Sequence, residues 1–218
     1  MRKETKKYYL TVEGETEKWY FEWLQRVINS VPAALYAVKF DCSIQKDPLK
    51  RAKGLILLEQ TCITHIMDRE SEEEIHIRQF ETALSRMKTA ERIGKSIKYH
   101  LGYSNFAFEL WIILHKAECS GILNYRRQYL PPRNRAYAEQ FENLDQYKHE
   151  GNFKRILGKL TFDDVKQAVR RSKNIMQTNQ ESGYTLRQYK GYRYYIENPS
   201  LSIWEIVERV MVECGLLH

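Results

Sequence analysis

The chain has 218 residues, 43% hydrophobic and 29% charged, with 35 Lys and Arg against 28 Asp and Glu for a net charge of +7. This length and composition fit one or two globular domains and exclude a disordered or fibrous chain. Mean hydropathy is -0.61, and no apolar run approaches the ~20 residues that span a bilayer, so the expectation is a cytoplasmic protein with no membrane segment.

The basic start from Met1 leads into a strand rather than a signal-peptide core. Lys7 to Val12 is a short β-rich run ended by Glu13-Gly14. Thr16 to about Ser30 reads as a helix, because Tyr20, Trp23, Leu24, Val27 and Ile28 recur at three- and four-residue spacing. Leu35 to Ile44 reads as a second strand. Asp47-Pro48 is an N-cap with proline in the first turn and opens a helix through Leu58. Thr61 to Met67 is a third strand, ending at Asp68. A charged helix follows from about Ser71 to Arg92, with a stripe of Ile75, Ile77, Phe80, Leu84 and Met87. Ser96 to Leu101 is a fourth strand. Ser104 or Asn105 then caps an apolar helix, Phe106 to His115, with His115 as its polar end. Strands alternating with helices predict a mostly parallel α/β sheet.

The second half changes character. Pro131-Pro132 marks an irregular stretch, and Thr161-Phe162-Asp163-Asp164 is a capping box opening a helix to about Met176. Ser202 and Glu205 give a similar signal for a final helix with Ile203, Ile206, Val207 and Val210 on its apolar side. The expected organisation is an α/β domain over residues 1–118 with a helical extension, 119–218, packed on it. Cys42, Cys62, Cys119 and Cys214 form no C-x-x-C pair and read as reduced thiols.

Carboxylates gather at the predicted strand ends. Glu13 ends strand one, Glu15 and Glu17 open the next helix, and Asp68-Arg69-Glu70 ends strand three. Ligands of parallel sheets bind outside the carboxyl ends of strands. Two or three carboxylates there suit Mg²⁺ and phosphoryl transfer. Acidic residues also favour the first turn of a helix for its dipole alone, which is the reading preferred for Glu72-Glu73-Glu74. Glu13 and Asp68 each end an apolar strand, which favours function. Glu109 sits among Phe108, Leu110, Trp111, Ile112 and Ile113, so it needs a metal or a buried salt bridge to an arginine; both readings stay open. Lys148, Arg155, Lys166, Arg170, Arg171 and Lys173, with the tyrosine-rich stretch from Tyr184 to Tyr195 beyond them, form a candidate nucleic-acid surface or a solvated face. No P-loop and no G-x-S-x-G elbow is present.

Leu10-Thr11-Val12-Glu13-Gly14-Glu15-Thr16-Glu17 resembles the opening of the RloB family, and so does Ile66-Met67-Asp68-Arg69-Glu70. Ser104-Asn105-Phe106-Ala107-Phe108-Glu109-Leu110-Trp111 resembles that family's third signature, and Asn198-Pro199-Ser200 its C-terminal block. The resemblance implies a toprim-like fold and a role in antiphage defence, or abortive infection, near restriction–modification loci and with an ATPase partner. It makes Glu13 the candidate general acid/base, and Glu17, Asp68 and Glu70 the candidate ligands of Mg²⁺ or Mn²⁺. Ser104, Asn105 and Glu109 match the third motif. Glu70 stands where the family usually has aspartate, and Phe106 where it has proline, which leaves a backbone N–H to satisfy.

The expected function is thus a metal-dependent nuclease of the toprim type in phage defence. The alternative is a non-catalytic subunit that binds nucleic acid or an ATPase on a degenerate toprim site. A phosphotransferase acting on a small nucleotide is a third reading.

Overall fold

The computed structural model describes residues 3–57, 59–121, 123 and 125–217. The chain runs β1 (Thr5–Val12), α1 (Glu15–Ser30), β2 (Ala37–Ile44), α2 (Pro48–Gly54), β3 (Thr61–Arg69), α3 (Glu74–Ala90), β4 (Ile97–Asn105) and α4 (Glu109–Leu114). A 3₁₀ turn (Arg126–Tyr129) leads to α5 (Leu130–Tyr137), α6 (Leu144–Lys148), α7 (Glu150–Leu157) and α8 (Phe162–Glu181). Then come β5 (Leu186–Tyr189), β6 (Tyr192–Tyr195), β7 (Ser200–Leu201) and α9 (Ile203–Glu213). The α2 helix begins where the sequence predicts, with the Asp47 carboxylate accepting from the N–H groups of Leu49 and Lys50. Its predicted end at Leu58 lies outside the described residues.

The main sheet has the order β2-β1-β3-β4-β7. Its first four strands are parallel and β7 is antiparallel to β4. The fold is therefore α/β with a mostly parallel sheet flanked by helices and closed by a C-terminal helix. The chain steps from β1 outward to β2, then crosses back to β3 on the other side. The seam between β1 and β3 is thus a topological switch point, where a crevice opens at the strands' carboxyl ends.

Two apolar layers cover the sheet. Tyr8, Leu10 and Val12 of β1 pack with α1, α4, α7, α8 and α9 on one face. Ile63 and Met67 of β3 and Ile97, Tyr99, Leu101 and Tyr103 of β4 pack with α2 and α3 on the other. The alternation along each strand gives each layer every second side chain. The β5–β6 hairpin turns on Lys190 and Gly191, both at positive φ, as a two-residue type I′ loop requires.

Several elements differ from their predicted extents. β4 runs four residues past Leu101, because Asp68 and Arg69 pair with Ser104 and Asn105, and β7 pairs with the same two residues from the other side. Ser104 and Asn105 are therefore strand residues, not helix caps, and α4 starts only at Glu109. His115 is not a polar helix end. It is 1% exposed, within 3.1 Å of the Tyr20 hydroxyl and 2.9 Å of the Trp111 carbonyl. The Thr161 capping box forms as predicted and α8 continues to Glu181. Among the described residues no helix is long and apolar enough to cross a membrane. All four cysteines are free thiols.

Candidate active site

The switch point gathers carboxylates from four elements. β1 ends at Val12 and delivers Glu13, whose Oε2 accepts from the backbone N–H of Asp68 at 3.1 Å. Gly14 follows in extended conformation, and its role is space. A Cβ there would stand 3.1 Å from Oε2 of Glu17, so the missing side chain lets that carboxylate fold back toward the strand end. Glu17 is buried in the first turn of α1, where the Thr16 hydroxyl donates to it at 3.2 Å. β3 contributes Asp68, and Glu70 follows its last residue. Glu109 enters from the first turn of α4, a helix whose six residues are all buried.

Two cations face this group. Arg126 of the 3₁₀ turn lies 3.7 Å from Asp68 Oδ2 and 3.5 Å from Glu70 Oε1. Lys148, at the end of α6, lies 3.4 Å from Glu109 Oε1. The other oxygen, Glu109 Oε2, is buried without a hydrogen-bond partner. The two open readings of Glu109 thus meet: it has an ion pair, with a lysine rather than an arginine, and one oxygen to spare.

Burial raises the pKa of Glu13, Glu17 and Asp68, and neighbouring carboxylates add to it. Asp68 is held well above the usual carboxylate range by burial and then by the charges of Glu17, Glu109 and Glu13, with Arg126 opposing. Burial works against the Arg126 charge, yet Asp68, Glu109, Glu70 and Glu17 together hold its pKa up. The excess of negative charge is thus a collective property of the site.

A cleft of about 570 Å³ opens beside Glu13, Asp68 and Glu70. Its far wall is α3, with Gln79, Phe80 and Arg86 among the lining residues, and Lys46 lies at its rim. The volume lies in the range of small-molecule sites.

The other predicted residues have distinct places. Ser104 pairs in register with Asp68, and its hydroxyl is buried without a partner. Asn105 is a latch: its amide donates to the carbonyls of Ile196 and Glu197 at 2.7 and 3.0 Å. The N–H that Phe106 carries in place of the signature proline donates to the Tyr129 hydroxyl at 3.1 Å. That hydroxyl donates in turn to the Asn105 carbonyl at 2.8 Å, with Asn198 Oδ1 at 3.0 Å. Glu72 is exposed, as expected, and also grips buried Arg69 with both oxygens, at 2.6 and 2.8 Å.

The candidate nucleic-acid residues do not form one surface with the carboxylates. Only Lys148 belongs to the acidic site. Arg155 pairs with Glu139, Lys166 with Asp163, Arg171 with Glu118 and Lys173 with Glu208. Arg170 is exposed on α8. Arg126 and Tyr129 escaped the sequence reading. They lie in a short segment without periodicity, and only proximity to carboxylates far away in sequence marks them.

The donors are hard oxygens, the class that suits Mg²⁺ or Mn²⁺. Among the described residues no three His, Cys, Asp or Glu side chains stand close enough to hold a metal ion as they are. The donor chemistry is of the class such an ion takes, but Glu17, Asp68 and Glu70 are not gathered around one point in this arrangement.

Comparison with protein families matches residues 8–210 to the family described as RloB-like protein. No curated protein and no solved structure matches the chain.

Proposed function

The chain belongs to the RloB-like protein family, and from that premise we propose that it is a divalent-cation-dependent phosphodiester hydrolase, a toprim-type nuclease of phage defence and abortive infection. The observation that carries this reading is Asp68: a carboxylate only 11% exposed at the switch point, 3.7 Å from Arg126 and within the field of Glu17, Glu109 and Glu13. Such a site is costly to the fold and is relieved by binding positive charge. Glu17, Asp68 and Glu70 would hold Mg²⁺ or Mn²⁺ once their carboxylates are drawn together. When bound, the ion neutralises phosphate charge and lowers the pKa of water. Glu13 receives or returns the proton. Its raised pKa brings it nearer to neutrality, where a general base works best. The Asp68 N–H holds Glu13 Oε2 in place, leaving the other oxygen for the proton.

The test is an assay of purified protein with Mg²⁺ and with Mn²⁺ on single- and double-stranded DNA and RNA and on free nucleotides. Cleavage by the wild type and its loss in folded Glu13→Ala and Asp68→Ala support the reading. Undiminished cleavage by either variant overturns it. Products from nucleotides alone would assign the site to a phosphotransferase.

A second reading has its own observation. Arg126 and Lys148 already pair with Asp68, Glu70 and Glu109. A cluster partly neutralised this way suits a non-catalytic subunit that docks nucleic acid or an ATPase of the same defence system. Binding of either with no cleavage under any metal condition decides for this second reading.

A further inference from the structure

One edge of the main sheet is only partly covered. β7 pairs with β4 at Ser104 and Asn105 alone, and among the described residues no strand covers the outer side of β4 from Ile97 to Leu101. Side chains stand in for part of the missing strand. The Glu91 carboxylate accepts from the Tyr99 N–H at 2.9 Å, and the Ser202 hydroxyl donates to the Leu101 carbonyl at 2.9 Å. Tyr99 and Leu101 therefore turn their backbone groups outward, and the Tyr99 carbonyl and the Leu101 N–H face the same way. An antiparallel neighbour takes the N–H and the carbonyl of one residue, and at Tyr99 and Leu101 a side chain already holds one of the two. A parallel neighbour takes the carbonyl of one residue and the N–H of the residue two further on. The edge is thus open to a parallel strand and blocked to an antiparallel one.

This edge lies in a groove. A space of about 360 Å³ between β4, the C-terminal end of α3 and the β5–β6 hairpin joins one of about 180 Å³ beside α9. The two share His100, Leu101, Ser202 and Glu205, and neither shares a lining residue with the cleft at Glu13 and Asp68. The groove is positively charged. Lys98, Lys190 and Arg193 are exposed along it and carry no salt bridge among the described residues. Arg209 enters from α9, with its Nε buried and without a hydrogen-bond partner. Lys88 is paired with Glu91, which leaves Glu205 alone against these cations. Burial lowers the pKa of His100, and the charges of Arg209 and Lys98 lower it further.

We propose that this groove binds an acidic, extended peptide segment of a partner protein, which adds to β4 as a parallel strand. One residue of the segment sits across His100. Its N–H donates to the Tyr99 carbonyl, and its carbonyl accepts from the Leu101 N–H. Main-chain bonds of this kind supply affinity, and side-chain contacts supply selection. Selection here is by charge, because carboxylates around that residue meet Lys98, Lys190, Arg193 and Arg209. A phosphodiester backbone answers the charge but offers no N–H to the Tyr99 carbonyl, so the strand edge favours a peptide. Open edges invite indiscriminate pairing, and Glu91 and Ser202 restrict this one to a single direction. The proposal holds under either reading of the carboxylate cluster.

The experiment measures binding of fluorescein-labelled hexaglutamate to the full chain by anisotropy. Hexaglutamine, a backbone-N-methylated hexaglutamate and an oligothymidylate of equal charge are measured beside it. Hexaglutamate is expected to bind, and hexaglutamine and the methylated peptide to bind about tenfold or more weakly, for want of charge and of N–H donors respectively. Lys98→Glu/Arg193→Glu is expected to weaken hexaglutamate by about tenfold or more. Lys39→Glu/Lys50→Glu makes the same change of net charge on exposed lysines of β2 and α2, and is expected to stay near the wild type. Deuterium exchange at the Leu101 amide is expected to slow in the complex. Equal binding by the methylated peptide, or unchanged exchange at Leu101, overturns the strand pairing. No binding of hexaglutamate, or equal loss in the two double variants, overturns the groove as its site. Tighter binding of the oligothymidylate, lost in Lys98→Glu/Arg193→Glu, assigns the groove to nucleic acid and overturns the peptide.

Discussion

The backbone N–H of Asp68 donates to Glu13 Oε2 at 3.1 Å, joining the end of β3 to the end of β1 across the switch point. The bond explains how a side chain on a tight turn keeps one orientation. It also separates two roles of Glu13. Glu13→Gln keeps an acceptor for the Asp68 amide and loses the charge; Glu13→Ala loses both. Both variants are expected to lose about 100-fold or more in cleavage, the scale of general acid–base catalysis. Only Glu13→Ala should also lose stability, by about 1 kcal/mol for the missing hydrogen bond. Denaturant unfolding beside a cleavage assay reads both effects.

The raised pKa of Asp68 has a pH signature. An acid whose pKa is higher in the folded than in the unfolded chain binds more protons when folded, so its ionisation lowers stability as pH rises. The penalty is absent below about pH 4, the unfolded value, and complete above the raised folded value. His65 and His115 act on the same range from the other side. Burial lowers both to about 4, so they cost stability as pH falls below about 6.5. The difference between Asp68→Asn and wild type removes the histidines from the comparison. Asp68→Asn is expected to gain on the wild type as pH rises from about 4 and to level off above the raised folded value, by urea unfolding at each pH. A pH-independent difference would falsify the buried anion. Glu13, Glu17, Glu109 and Arg126 interact with Asp68 through charge, so the difference reads the ionisation of the cluster to which Asp68 belongs.

Much of this site was legible in the sequence, and the reason is local. Glu13 and Asp68 each terminate an apolar run of alternating or continuous strand type, so their placement at strand ends follows from periodicity. Parallel pairing then brings the ends together. The length of β4 was not legible, because Gly102 to Asn105 reads as a turn or cap until β7, nearly a hundred residues away, pairs with Ser104 and Asn105. Arg126 was hidden for the same reason: its role depends on contacts with residues 56 to 58 positions earlier in the chain. The basic residues of the second half were visible as charges. Their acidic partners, such as Glu139 for Arg155 and Glu208 for Lys173, became visible only in three dimensions.

That pairing makes a prediction for nucleic-acid binding. An exposed ion pair has its charge largely compensated, and a lysine or arginine so engaged releases few counterions from a polyanion. Arg155→Ala and Lys173→Ala are expected to leave the affinity for an oligonucleotide nearly unchanged. Arg170, exposed on α8, is expected to matter more, and Arg170→Ala should reduce the salt slope of binding by about 1 if it meets a phosphate. Fluorescence anisotropy across a salt series measures both. A larger effect from Arg155 or Lys173 than from Arg170 would show that the pairs open on binding.

Arg69 offers the sharpest contrast in stability. It is 2% exposed, and besides Glu72 it donates to the Ile196 carbonyl at 2.8 Å and to Asn105 Oδ1 at 3.3 Å. It therefore ties the end of β3 to the segment between β6 and β7 and to the latch residue of β4. Arg69→Met leaves the Asn105 side-chain oxygen without this donor and the Ile196 carbonyl with the Asn105 amide alone, and is expected to cost about 1–3 kcal/mol, as a buried acceptor left unsatisfied does. Its partner Glu72 is 54% exposed. Glu72→Gln keeps an acceptor for the guanidinium, and is expected to cost about 1 kcal/mol or less, as a solvent-screened pair does. Chemical unfolding of the two variants tests the asymmetry. Equal costs would mean that Arg69 is held by Glu72 alone, and that its bonds to Ile196 and Asn105 contribute nothing to joining the two halves of the chain.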